Sequence, residues 1–140
     1  MEVSAMARYW IRAEHTFSAA HALRLPDGSL EPVHGHDWTV RVTVSGQRLD
    51  GADCVMDFHA LMDRLRAVVG PWSNRCLNEV PPFAGQSGAL VVNVSAERVA
   101  EQVGLAVMEG LPDGVKMEGV SVSEAVGCVA GWEPGDDASL

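Results

Sequence analysis

Long apolar runs are absent from this sequence of 140 residues: no stretch approaches the ~18 residues that a membrane span needs, so insertion into a bilayer is not expected. Residues 1–8 contain no apolar core followed by a cleavage site, so export is not expected either. Cysteine is scarce. Cys54, Cys76 and Cys128 are odd in number, widely spaced and without a CxxC pair, which fits reduced thiols in the cytosol better than a disulfide framework. Positive charge is in short supply as well. Ten Lys and Arg against nineteen Asp and Glu leave a net charge of −9, which repels a phosphate backbone and removes the counterion release that drives nucleic-acid binding. DNA and RNA are therefore not expected partners, and no internal repeat or low-complexity segment interrupts the chain.

With 47% hydrophobic and 21% charged residues, the sequence reads as one globular domain over residues 1–132, followed by an acidic, mobile tail at 133–140. A chain of this length buries roughly 68–70% of its unfolded surface, enough to fold without disulfides or a structural metal. A metal bound here is expected to serve chemistry.

The spacing of Tyr9, Ile11, Phe17 and Ala19 predicts a long strand ending at His21, and Pro26-Asp27-Gly28 then turns the chain. Trp38, Val40, Val42 and Val44 alternate with Thr39, Arg41, Thr43 and Ser45, the period-two pattern of a half-buried strand that pairs with the first as a hairpin. Asp57 caps a helix in which Phe58, Leu61, Met62, Leu65, Val68 and Val69 share one stripe before Gly70-Pro71 stops it. Residues 81–88 read as a loop and 90–94 as a short extended piece. A second helix follows Ser95, buries Val99, Val103, Ala106 and Val107, and ends near Gly110 or Pro112. Residues 115–129 predict two more strands interrupted at Gly127. The resulting fold class is α+β: a four-stranded antiparallel sheet, in the chain order strand-strand-helix-helix-strand-strand, with two helices covering one face. Its unpaired outer edges favour a homo-oligomer.

His34 and His36 lie two residues apart, so in an extended segment both imidazoles project from the same face. Alone, such a pair is more often two ordinary surface or core histidines. His21 closes the preceding strand, however, where hairpin pairing brings it to the same point, and three neutral nitrogens leave a tetrahedral Zn2+ one open position for a substrate oxygen. His15 reads as a partly exposed structural residue and His59 as a solvated first-turn residue.

The segments Phe17-Ser18-Ala19-Ala20-His21, His34-Gly35-His36-Asp37-Trp38 and Val55-Met56-Asp57-Phe58 resemble the 6-pyruvoyl-tetrahydropterin synthase and 6-carboxytetrahydropterin synthase family. Leu77-Asn78, Ser95-Ala96-Glu97 and Val122-Ser123-Glu124 extend the likeness to about residues 8–130. The resemblance implies the tunnelling fold, in which protomers join their sheets into a barrel, here expected as a hexamer, with active sites between subunits. It implies His21, His34 and His36 as zinc ligands, and Glu124 and Ser95 as substrate-binding residues in the cytoplasm-located synthesis of pterins or queuosine. A carboxylate accepts two parallel hydrogen bonds, and the amino-pyrimidine edge of a pterin offers two N–H donors in one plane. Without the resemblance, Glu124 reads as a solvated strand carboxylate, and Ser95 and Glu97 as an ordinary helix cap and first turn.

The sequence departs from the family pattern at two places. Leu30 stands where the proton-transferring cysteine is expected, and Ser73 and Asn74 stand where an Asp-His pair is expected; none of these relays a proton at neutral pH. Glu31, three residues before His34, resembles the branch in which a glutamate replaces the cysteine, and is the candidate catalytic residue; its bland reading is a surface loop residue. Cys76 reads as an inert packing residue and Arg24 as a solvated loop charge, although Arg24 and Arg75 are the cations nearest the site in sequence. Three functions follow: a zinc-dependent lyase acting on 7,8-dihydroneopterin triphosphate or a related dihydropterin; a glutamate-type variant yielding 6-hydroxymethyl-dihydropterin for folate synthesis; or a pterin or purine binder that keeps zinc and has lost turnover.

Overall fold

The computed structural model describes residues 7–135. Its four strands are β1 (Tyr9–His21), β2 (His34–Gly46), β3 (Lys116–Ala125) and β4 (Cys128–Trp132), and its two helices are α1 (Phe58–Val69) and α2 (Ala96–Met108). All three strand pairs are antiparallel in the spatial order β1-β2-β3-β4, which is the expected α+β arrangement. The acidic tail expected at 133–140 lies, beyond Gly135, outside the described residues.

Alternation along the strands decides which face is covered. Ala13, Phe17 and Ala19 of β1, Trp38, Val40, Val42 and Val44 of β2, and Met117, Val120 and Val122 of β3 are buried on one face. There α1 packs against β1, and α2 against β3 and β4. The intervening residues, among them Arg12, Glu14, Thr16, Arg41, Thr43 and Ser121, leave the other face polar. Asp57 caps α1 by accepting from the His59 N–H at 2.8 Å, and Ser95 caps α2 through the Arg98 N–H at 3.1 Å.

Two details differ from the sequence reading, and the extended piece at 90–94 takes a definite form. Phe58 belongs to the expected stripe, yet it is 60% exposed; Leu61, Leu65 and Val69 are the buried residues of α1, with Met62 and Val68 partly buried against the same core. Residues 90–94 form no strand: Leu90 makes a single bridge to Ala84, while the Val91 and Val92 N–H groups both donate to the Phe83 carbonyl. The last strand runs past Val129 to Trp132, whose ring lies over Gly104 of α2, where any Cβ would meet it at 2.2 Å.

Hairpin register is what positions the site. His21 is the cross-strand partner of His34, and Ala19 that of His36, so all three imidazoles stand at the end of the hairpin where residues 22–33 connect its strands, on the helix-covered face.

Candidate metal and substrate site

The ligand atoms of His21, His34 and His36 lie within 4.8 Å of one another. Two of the rings have one nitrogen already committed. His21 Nδ1 is 2.7 Å from the Val94 carbonyl and His34 Nδ1 is 2.9 Å from the Pro32 carbonyl; because a carbonyl only accepts, each Nδ1 carries the proton. Each Nε2 is thereby left with a lone pair, the tautomer that a metal requires, fixed by a backbone acceptor behind it. His21 Nε2 and His36 Nε2 are buried without a hydrogen-bond partner, which is costly for polar atoms unless something answers them. A divalent cation does so, and the donor set suits zinc.

The floor under the rings is Trp38. Its edge packs against His21 at 4.8 Å and His36 at 5.7 Å between ring centroids, and its indole N–H is tied to the Ala19 carbonyl at 3.0 Å. Burial pushes the His21 pKa below its ordinary value; the Val94 carbonyl and the Glu124 carboxylate pull it back only in part, and His34 and His36 add to the lowering. The neutral, ligating form of His21 is therefore favoured at neutral pH.

Residues 22–24, which follow His21, are held by side chains that imitate a neighbouring strand. Asn78 accepts from the Ala22 N–H at 2.9 Å and donates to the Ala22 carbonyl at 2.8 Å. Asn93 does the same for Arg24, at 2.9 Å in both directions. Between them the Leu23 N–H donates to Glu31 Oε1 at 3.0 Å, and the Glu31 N–H donates to the Leu23 carbonyl at 2.9 Å. Sequence reasoning missed the Asn93 clamp and the Val94 carbonyl, and quoted Asn78 only as part of a motif.

Two carboxylates flank the imidazoles. Glu31 Oε1 is 3.7 Å from His34 Nε2, so this half-buried side chain points at the histidines rather than into solvent. Glu124 Oε2 is 3.4 Å from His21 Nε2 and 3.9 Å from His36 Nε2, and is itself a buried atom without a hydrogen-bond partner. Ser95 follows Val94 directly, with its oxygen used as the acceptor of the α2 cap.

The other residues singled out in the sequence lie as follows. Leu30 is 55% exposed and bridges Arg24. Asn74 donates its N–H to the Ser18 carbonyl and lines an open cleft of about 490 Å³ that His36 also borders. The Arg24 guanidinium donates to the Leu90 carbonyl at 3.4 Å, whereas Arg75 lines a separate groove with Trp72, Glu79 and Pro82 that none of the three histidines borders. Cys76 is half-buried next to Asn78, His15 is half-buried on β1, and the His59 side chain is 94% exposed.

A four-stranded antiparallel sheet with two helices on one face and three imidazoles at the end of its first hairpin defines a tunnelling-fold protein of the tetrahydropterin synthase class. The model of the family described as 6-pyruvoyl tetrahydropterin synthase matches residues 10–134, and the chain belongs to that family of lyase-type enzymes. It is 32% identical over 125 residues to a probable 6-carboxy-5,6,7,8-tetrahydropterin synthase of Halobacterium salinarum, covering 81% of this chain and 79% of that protein. The 6-pyruvoyl tetrahydropterin synthase structure from Caenorhabditis elegans superposes with a TM-score of 0.76 at 18% identity, over 92% of this chain and 97% of that one. The Plasmodium vivax enzyme, solved with its catalytic glutamate replaced by cysteine, superposes with a TM-score of 0.72 at 19% identity, over 91% of this chain and 98% of that one. The two structural likenesses establish the fold.

Proposed function

We propose that this protein is a zinc-dependent lyase acting on 7,8-dihydroneopterin triphosphate or a closely related dihydropterin, in pterin or queuosine biosynthesis. The observation that carries this reading is the convergence of three imidazoles: His21 and His34 have Nδ1 tied to backbone carbonyls, and the buried Nε2 atoms of His21 and His36 have no hydrogen-bond partner. When bound by His21, His34 and His36, Zn2+ polarises a substrate oxygen and lowers the pKa of a hydroxyl.

The chain's own residues supply the rest. Glu124 accepts the paired N–H donors of the pterin edge, and the Ser95 hydroxyl proton, which the cap leaves unused, donates to the substrate. Glu31 takes the role of general base, a reading supported by its carboxylate standing 3.7 Å from His34 Nε2. The protein self-associates into a homo-oligomer, a hexamer by family resemblance, through the free edges of its sheet.

Glu31 beside His34 also favours a second reading, formation of 6-hydroxymethyl-dihydropterin. That product keeps one carbon of the three-carbon side chain, so the bond between the first and second carbons must break. Glu31 accepts the hydroxyl proton of the second carbon, which departs as an aldehyde. The electron pair of the broken bond passes to the first carbon, conjugated with the pterin C=N group, and is captured there by a proton returned from Glu31. The catalytic glutamate of the Plasmodium vivax relative is a precedent for such a base in this fold.

Incubation of the zinc-loaded protein with 7,8-dihydroneopterin triphosphate, followed by product identification, tests both. A carboxy- or pyruvoyl-tetrahydropterin supports the first reading and a hydroxymethyl product the second; unchanged bound substrate overturns both in favour of a binder. Glu31→Gln keeps an acceptor for the Leu23 N–H but loses the base, and is expected to lower kcat by about 10²- to 10⁴-fold with metal content unchanged.

A further inference from the structure

We propose that Asn93 is a positioning residue of the metal centre: by fixing the Val94 carbonyl, its side-chain amide decides which nitrogen of His21 carries the ring proton. This rests on the three-histidine reading above and adds to it the cause of the ligating tautomer.

A neutral imidazole has one proton for two nitrogens, and His21 has an acceptor on either side. The Val94 carbonyl is 2.7 Å from Nδ1, and Glu124 Oε2 is 3.4 Å from Nε2. A proton on Nδ1 leaves Nε2 the lone pair that a cation needs, whereas a proton drawn to Nε2 by the carboxylate blocks that position. The carboxylate is the stronger acceptor of the two, so the outcome depends on the carbonyl staying closer. The ring itself is confined. His21 is 2% exposed and packs edge-on to Trp38 at 4.8 Å between centroids, so it does not turn to follow a carbonyl that moves away.

Regular structure does not hold that carbonyl in place. Val94 belongs to no helix or strand and directly precedes Ser95, the cap of α2. Asn93 supplies the missing order. Its Oδ1 accepts from the Val94 N–H at 3.1 Å and from the Arg24 N–H at 2.9 Å, while its Nδ2 donates to the Arg24 carbonyl at 2.9 Å. One amide thereby ties the residue that offers the acceptor to the chain that has just left His21, although ring and acceptor are 73 positions apart in sequence. Asn78 makes the informative contrast, because its amide bonds Ala22 on the histidine side and leaves the Val94 side to Asn93.

Proton–nitrogen correlation spectra of chelator-treated protein with isotope-labelled histidine read the tautomer directly, the His21 signals being identified by their loss in His21→Ala. At mildly alkaline pH, where imidazoles are neutral, wild type is expected to carry the His21 proton on Nδ1. Asn93→Ala is expected to show a measurable fraction protonated on Nε2 and to bind Zn2+ about 10- to 100-fold more weakly. Asn78→Ala, which loosens the same loop from its other side, is expected to keep the wild-type tautomer. An unchanged tautomer in Asn93→Ala overturns the proposal even if zinc binds more weakly, since that loss is then merely structural. An equal shift in both variants overturns it as well. Wild type protonated on Nε2 does so without any variant having to fold. The three-histidine reading fails by a different result: His34→Ala binding Zn2+ as tightly as wild type.

Discussion

The imidazoles are aimed by residues that lie far away in sequence. Asn78 satisfies both backbone groups of Ala22 and Asn93 both of Arg24, so the residue after His21 is fixed by an amide 56 positions on. In Asn78→Ala the part-buried N–H and carbonyl of Ala22 lose their partners, which costs about 1–3 kcal/mol. The expected outcome is a lower urea midpoint together with weaker zinc binding, because His21 loses the anchor that orders it; a stability loss with unchanged zinc affinity would separate the clamp from the site. The three histidines themselves were legible, since alternation along a hairpin puts His21, His34 and His36 on one face whatever the tertiary context. The clamps were not, because no local pattern announces a side chain that replaces a missing strand. The direction taken by Glu124 was equally hidden: a period-two pattern assigns a side chain to a face and does not say that its carboxylate turns toward His21 and His36.

Helix and strand identities followed from patterns that close within a few residues, which is why the caps at Asp57 and Ser95 and the alternation of β2 carried over unchanged. What failed was tertiary. Phe58 is in phase with the buried stripe of α1, but phase does not bury a residue by itself. Ser95 joins this scale to the site, as the cap of α2 and the neighbour of the carbonyl that orients His21. Ser95→Ala removes the cap and is expected to cost about 1 kcal/mol. Ser95→Asp restores a capping acceptor but has no hydroxyl proton to donate. If the serine also binds substrate, the aspartate variant regains stability in thermal unfolding while its KM stays raised; recovery of both assigns the serine to the cap alone.

At the scale of the molecule the sheet is covered on one face and polar on the other, and its first strand has a largely free edge. The backbone bonds that reach β1 from outside the sheet are the Ala20 N–H to the Arg75 carbonyl and the Asn74 N–H to the Ser18 carbonyl, so even-numbered residues direct their N–H and C=O groups outward. By the same alternation Arg12, Glu14 and Thr16 present theirs along the open edge, while the odd-numbered residues bond β2. A free edge of this length is a template for another strand, and a polar uncovered face suits the lining of a water-filled barrel made by several copies. Proline at position 14 removes one outward N–H and leaves the β1–β2 ladder intact. The side chain it sacrifices makes only an exposed ion pair with Arg41, which contributes little. Glu14→Pro is therefore expected to shift the assembly toward monomer in analytical ultracentrifugation, with the strand signal of the circular dichroism spectrum preserved. Because all three histidines come from one chain, the monomer retains about one zinc. Turnover should nonetheless fall if neighbouring subunits complete the pocket. A monomer with full activity would mean that a single chain carries every group the reaction uses.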